Sequence, residues 1–114
     1  LEAGIVESGL DIIRKPMGQI LAWLGPSIGP TVYEVRDDVR TRLVTACRDH
    51  DSNFTKTETG WLADLPGMVE QRLRRAGVEA VGSSGLCTFS GHCKWFSHRR
   101  SAPCGRMASL IWLT

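Results

Sequence analysis

No run of about 18 apolar residues occurs anywhere in the 114 residues, so no membrane-spanning helix is expected. Charge of one sign is scarce as well. Fourteen Lys and Arg against twelve Asp and Glu leave a net charge of +2, too little for a field that would gather nucleic acid or a membrane surface. The first residues, Leu1-Glu2-Ala3-Gly4, have no basic lead and no cleavage-site pattern, so no signal peptide is expected. An initiator methionine is missing too, as in a chain processed or cut from something longer. Also missing are internal repeats, low-complexity tracts, a Gly-rich phosphate loop of the Walker type and an H-E-x-x-H helix. These absences leave a small intracellular-type domain. Its four cysteines are expected to be reduced thiols in a cytoplasmic setting, although two disulfides are arithmetically open to them.

A hydrophobic fraction of 42% and a charged fraction of 23% are ordinary for a folded domain, and the length suits one core. Residues 1–15 predict a helix, with Leu1, Ile5, Ile12 and Ile13 near one face, Arg14 and Lys15 at its C-terminal end, and Pro16 blocking continuation. Residues 19–24, Gln-Ile-Leu-Ala-Trp-Leu, are apolar on both faces and predict a buried central strand. Gly25-Pro26-Ser27-Ile28-Gly29-Pro30 predicts an irregular loop. Residues 32–35 are short and extended. Val35, Val39, Leu43 and Cys47 then recur every four residues, an amphipathic helix with its charges opposite.

Residues 48–60 are polar and predict a surface loop. Asp64 can cap a third helix with Pro66 in its first turn, and Leu65, Val69, Leu73 and Ala76 form its buried stripe. Gly77 and Val78 fit a Schellman stop. Residues 78–81 predict a strand, 82–85 a turn, 87–89 a brief pairing and 106–113 a closing strand apolar on both faces. Three helices and about four strands give an α+β fold (mixed α/β layers) with a mixed central sheet.

Candidate chemistry lies near the C-terminal end. Arg99, Arg100 and Arg106, beside Ser97 and His98, put planar cationic forks where carboxylate or phosphate could be held, with a salt bridge to Glu34, Asp37, Asp38 or a chain terminus as the structural alternative. Adjacent arginines in an extended segment face opposite ways, so one of Arg99 and Arg100 is expected to reach a given site. Cys87, His92, Cys93 and His98, with Cys104 nearby, contain zinc-ligand types, but no C-x2-C or H-x3-H pair occurs, so incidental thiols and imidazoles are the better account. A Cys87–His98 nucleophilic pair is a further alternative, with nothing local to lower the thiol pKa. The 25–30 loop could form an anion nest, although its prolines remove donors. Trp23 and Trp112 belong to presumed core strands and are expected to pack rather than stack on bases.

Leu21-Ala22-Trp23-Leu24-Gly25-Pro26-Ser27-Ile28-Gly29-Pro30 followed by Tyr33-Glu34-Val35 resembles the W-L-G-P-x-I-G-P-x-x-F/Y-E-V signature of the laccase-domain proteins. That family is also called polyphenol oxidase-like or multicopper oxidase-like, and includes purine nucleoside phosphorylases. Asp64-Leu65, Ala76-Gly77-Val78, Cys87-Thr88, Phe96-Ser97-His98-Arg99-Arg100 and Gly105-Arg106-Met107-Ala108-Ser109-Leu110-Ile111-Trp112 are similar to further family blocks in the same order. Ser101-Ala102-Pro103-Cys104 departs from a D-G-x-T-like linker, which weighs against a ligand role for Cys104. The resemblance implies the C-terminal portion, residues 1–114, of a longer single domain. Its metal-binding histidine, cysteine and histidine would lie upstream, in A-D-C-x-P and H-A-G-W-R-G motifs that do not occur here. It further implies zinc or copper in the full-length family and no metal on this chain alone, with purine nucleoside and phosphate as partners. Phosphorolysis of adenosine or inosine, or adenosine deamination, would be the activity, lost without the upstream half. A non-catalytic interaction module and a small zinc domain are the alternatives, and an unpaired sheet edge would favour self-association.

Overall fold

The computed structural model describes residues 1–90 and 94–112. Helix α1 (Ile5–Ile13) is followed by a 3-10 turn (Met17–Gln19) and strand β1 (Leu21–Leu24). Strand β2 (Glu34–Val35) leads to helix α2 (Asp37–Ala46), a 3-10 segment (Arg48–Asn53), and strands β3 (Phe54–Lys56) and β4 (Trp61–Ala63). Helix α3 (Leu65–Arg75) and strand β5 (Ala80–Ser83) complete the regular structure. The fold is α+β, with parallel and antiparallel pairing divided between two sheets. In one, β1 lies parallel to β5, with Leu21 opposite Ala80 and Trp23 opposite Gly82. In the other, β4 runs antiparallel between β2 and β3.

Helix α3 joins the two layers because its stripe is wide enough to serve both. Leu73 belongs to a core with Leu10 and Val78, onto which Val6, Met17, Ile20, Ala22, Leu24, Val69 and Val81 pack. Met68, on the same helix, is wholly buried with Val35 and Ala63, beside Val39, Leu43, Phe54 and Trp61. The ends of α3 follow the local chemistry of the sequence. The Asp64 carboxylate accepts from the Gly67 amide at 2.9 Å, satisfying an N-terminal donor. At the other end Gly77, at φ 96°, lets its own amide reach Arg74 O (2.9 Å) and the Val78 amide reach Leu73 O (3.0 Å), the paired bonds of a Schellman stop. A side chain at position 77 would be strained in that left-handed conformation.

Several expectations are corrected. Residues 48–60 are not a polar surface loop: a 3-10 segment and the β3–β4 hairpin occupy them, and His50 is fully buried. The strands are three residues each, too short to print an alternating pattern, and Arg40 from α2 stacks over the Trp61 ring at 4.1 Å. Helix α1 begins at Ile5 after Gly4 in a left-handed turn; Leu10 is its buried residue, and Ile5, Ile12 and Ile13 are exposed. Strand β1 is not a buried central strand, since among the described residues it pairs only with β5 and leaves Leu21 and Trp23 in solvent. Residues 106–112 form no strand, and Leu110, Ile111 and Trp112 are exposed. Trp23 and Trp112 are therefore not core residues. The predicted 78–81 strand occurs two residues later, and the 87–89 pairing is a single parallel bridge between Ser27 and Cys87.

Candidate functional site

Three polypeptide stretches converge on the β1 and β5 carboxyl ends: the Gly-Pro loop after β1, the segment after β5 and the 95–101 turn. The first two are stitched by Ser27 N–H to Leu86 O (3.2 Å) and Thr88 N–H to Ser27 O (2.9 Å). Arg100 ties in the third. Its guanidinium donates to the carbonyls of Thr88 (2.8 Å), Phe89 (2.9 Å) and Trp95 (2.6 Å). Ser97, itself buried, closes the turn by accepting on its carbonyl from the amides of Arg100 (3.1 Å) and Ser101 (3.0 Å).

Arg99 makes different contacts, although residues 98–100 form a turn and not the extended segment expected from the sequence. Its guanidinium sits 5.2 Å from the Tyr33 ring centroid and donates to Glu34 O at 3.4 Å. A cavity of about 330 Å³ opens here, lined by Pro26, Ile28, Tyr33, Phe96, Ser97, His98, Arg99 and Met107 among others. It lies at the small end of ligand-sized pockets, roughly 300–1,000 Å³. Arg99 is the one charged side chain on its wall, so the cavity combines aromatic faces, a hydroxyl, an imidazole and a single cation. Arg99 also lines a larger hollow of about 540 Å³, with Glu34, Arg36, Thr59 and Phe89 among its walls.

The four expected anion-site residues thus separate. Ser97 and Arg99 share the cavity. Arg100 is occupied by three carbonyls and holds the turn together. Arg106 contacts Cys104 and Gly105 within its own exposed segment. None of the three arginines forms the salt bridge to Glu34, Asp37 or Asp38 set out as the alternative; Arg99 meets the Glu34 carbonyl instead of its carboxylate. Tyr33 and His98 line the cavity as well; Tyr33 was not among the expected anion-site residues, and the Tyr-Glu-Val block after the Gly-Pro loop was the available signal for it.

Beside this cavity, about 290 Å³ is enclosed by Gly25, Ser27, Thr31, Asp64, Ser83, Ser84 and Cys87 with their neighbours. Gly29 donates its amide to Cys87 Sγ at 3.3 Å and Ser90 does so at 3.4 Å. Burial raises the Cys87 pKa, but the Ser90 and Gly29 donors outweigh it and bring the thiol to about 7. The Gly-Pro loop spends the Gly29 amide on sulfur and the Ser27 amide on Leu86, so it is no free anion nest.

Cys47, Cys87 and Cys104 carry free thiols. Among the described residues no three His, Cys, Asp or Glu side chains gather as metal ligands. The described residues therefore do not fit a metal centre. His92 and Cys93, the other members of the cluster considered from the sequence, lie outside the described residues.

Residues 1–114 match the family described as multi-copper polyphenol oxidoreductase laccase. The chain is 40% identical over 115 residues to a purine nucleoside phosphorylase of Pseudomonas aeruginosa, covering 99% of this chain and 48% of that one. It is 37% identical over 111 residues to the Escherichia coli purine nucleoside phosphorylase YfiH, covering 97% and 46% respectively. The chain thus spans about half the length of the curated relatives it matches. Among solved structures it superposes on a Neisseria meningitidis protein with a TM-score of 0.82 at 29% identity, covering 87% of this chain and 41% of that one. A Bacillus licheniformis hypothetical protein gives 0.74 at 28% identity.

Proposed function

The chain belongs to the multi-copper polyphenol oxidoreductase laccase family, and from that premise we propose that it is the C-terminal portion of a purine nucleoside phosphorylase. The observation that carries this reading is the Tyr33–Arg99 cavity. A purine ring suits a pocket walled by Tyr33, Phe96 and His98, and the Arg99 fork suits an oxygen of phosphate or ribose. In phosphorolysis a phosphate oxygen forms a bond to ribose C1′ while the C1′–N9 bond breaks. The purine leaves with the electron pair and takes a proton, giving ribose 1-phosphate and free base. Within that reaction Arg99 would balance phosphate charge, Ser97 would stay a structural post of the turn, and Arg100 would keep Arg99 aimed by fixing the segment beside it.

The other wall, with a His/Cys/His group binding zinc or copper, belongs on this reading to the half of the family fold that the chain does not span. Adenosine deamination at the same centre rests on the family resemblance, and a cytoplasmic setting on the expectation of reduced thiols. The chain alone is expected to be inactive. Release of hypoxanthine from inosine and phosphate tests both points. The purified chain should give none, and the chain joined to a segment carrying the A-D-C-x-P and H-A-G-W-R-G motifs should give it, with Arg99→Met raising KM for phosphate. Turnover by the chain alone overturns the inactivity, and an unchanged KM overturns the role of Arg99.

A further inference from the structure

Two buried hydroxyls on the wall of the Tyr33–Arg99 cavity have no task inside the protein. Thr88 is 8% exposed and Ser97 7%, and both line the cavity. The backbone of Thr88 is fully engaged: its amide donates to Ser27 O at 2.9 Å and its carbonyl accepts from Arg100 at 2.8 Å. Ser97 likewise serves the 95–101 turn through its carbonyl. Among the described residues, the hydrogen bonds of both are thus all made by backbone, and neither side-chain hydroxyl has a protein partner. The polar side-chain atoms sealed from solvent without a partner are Glu7 Oε2, Arg40 Nε and His50 Nε2, so the two hydroxyls are open, and the space they open onto is the cavity. Burying a hydroxyl is unfavourable unless it meets a partner, so a pair of them facing a ligand-sized space is a recognition surface and not packing.

The fold holds Thr88 in register with the cation. Cys87, the residue before it, bridges to Ser27 and lines the neighbouring cavity of about 290 Å³, while Thr88 lines this one. Arg100 then ties Thr88 to the turn that carries Arg99: its guanidinium holds the Thr88 carbonyl and its amide holds the Ser97 carbonyl. One wall therefore joins a single fixed charge, Arg99, to neutral groups that both donate and accept.

We propose that Thr88 is a specificity-determining residue whose hydroxyl hydrogen-bonds the ribose 2′-hydroxyl, so that the cavity favours ribonucleosides over 2′-deoxynucleosides. The assignment rests on the reading that the cavity takes a nucleoside, with phosphate at Arg99. Phosphate bonds to C1′, and of the sugar hydroxyls the one on the adjacent carbon, C2′, lies nearest the reacting oxygen. That group is neutral, so it is matched by a neutral side chain tied beside Arg99. A threonine hydroxyl can accept from it or donate to it.

The test titrates the 114-residue chain with inosine, 2′-deoxyinosine and purine riboside in phosphate buffer, reading dissociation constants from amide chemical shifts. The unmodified chain should bind inosine about three- to tenfold more tightly than 2′-deoxyinosine, the span of one neutral hydrogen bond. Thr88→Val should weaken inosine by that factor and leave 2′-deoxyinosine within about twofold, because the group it would lose is already absent. Thr88→Ser should restore inosine binding. With no protein partner for the hydroxyl, Thr88→Val should keep the Tm of the unmodified chain or raise it. A fall of about 5 °C or more would assign the hydroxyl to the fold and overturn the proposal. If Thr88→Val weakens inosine and 2′-deoxyinosine equally but spares purine riboside, which lacks the 6-oxygen, the hydroxyl reads the base and the ribose assignment is overturned. Inosine binding that Thr88→Val leaves unaltered overturns the proposal while the nucleoside reading stands. No inosine binding by the unmodified chain overturns both.

Discussion

Arg72→Met is the substitution whose effect the structure defines best. The Arg72 side chain is 10% exposed, and its Nε donates to Glu7 Oε1 at 2.7 Å, tying α3 to α1; a second donor reaches the Leu1 carbonyl. Breaking a fully buried pair costs about 3–5 kcal/mol, because a charge is left stranded. A fully exposed pair is worth about 0–1 kcal/mol. Glu7 is 44% exposed, so water takes up much of its charge once the guanidinium is gone, and screening discounts the upper figure. Methionine keeps the packing of the aliphatic stem. The expected loss is about 2 kcal/mol, which at a urea slope of about 1–3 kcal/mol/M moves the unfolding midpoint down by roughly 1 M.

A pH arm sharpens the test. Burial pushes the Glu7 carboxyl up, but its own backbone amide and Arg72 outweigh this and hold it below the usual 4.5. A lowered carboxylate stabilises the folded state above the unfolded value and ceases to do so as pH falls through the folded one. The Arg72→Met penalty should therefore be full at pH 7 and shrink below about pH 4.5. A penalty under about 0.5 kcal/mol at pH 7, or one equally large at pH 3, would refute the assignment of this pair as the α1–α3 clamp.

Burial, followed by repulsion from Arg72, lowers the His50 pKa from 6.5, against the Leu43 carbonyl (3.3 Å from Nδ1), Asp49 and Glu7. The unfolded chain then takes up a proton that the folded one refuses, so stability falls as pH drops below 6.5. His50→Leu should flatten that slope by up to about 1.4 kcal/mol per pH unit in urea titrations. Cys87 should be alkylated by iodoacetamide ahead of buried Cys47, with a rate that rises through about pH 7; peptide mass mapping that finds Cys47 modified first would count against the two-amide cradle. Met68→Ala, at a fully buried position between α3 and the antiparallel sheet, should cost about 2–5 kcal/mol, whereas Trp23→Ala should change the stability of the chain by about 0.5 kcal/mol or less; calorimetry separates them.

The ends of helix α3 were legible because their signals are local: Asp64 with Pro66 at one end and Gly77 at the other each act within a turn. Its stripe was legible in part, since Leu73 is buried but the buried Met68 and Arg72 lie outside the predicted Leu65, Val69, Leu73 and Ala76. The β3–β4 hairpin was not legible, since three-residue strands print no period and their pairing is a property of the folded pair. At the site, the arginine cluster and the Gly-Pro loop stood out, but not the division of labour within them. Arg99 and Arg100 are chemically identical neighbours, and only the three carbonyls of Thr88, Phe89 and Trp95 converging on one of them set the other free.

By itself the sequence determined family, fold class and the two capped ends of α3, because these rest on short-range spacing and on ordered motif blocks. The tertiary structure decided which apolar residues are core and which are surface. Leu21 and Trp23 have the composition of buried strand residues, yet they stand in water. Hydrophobicity says only that a side chain gains by being covered, and whether anything covers it depends on which polypeptide lies against that face.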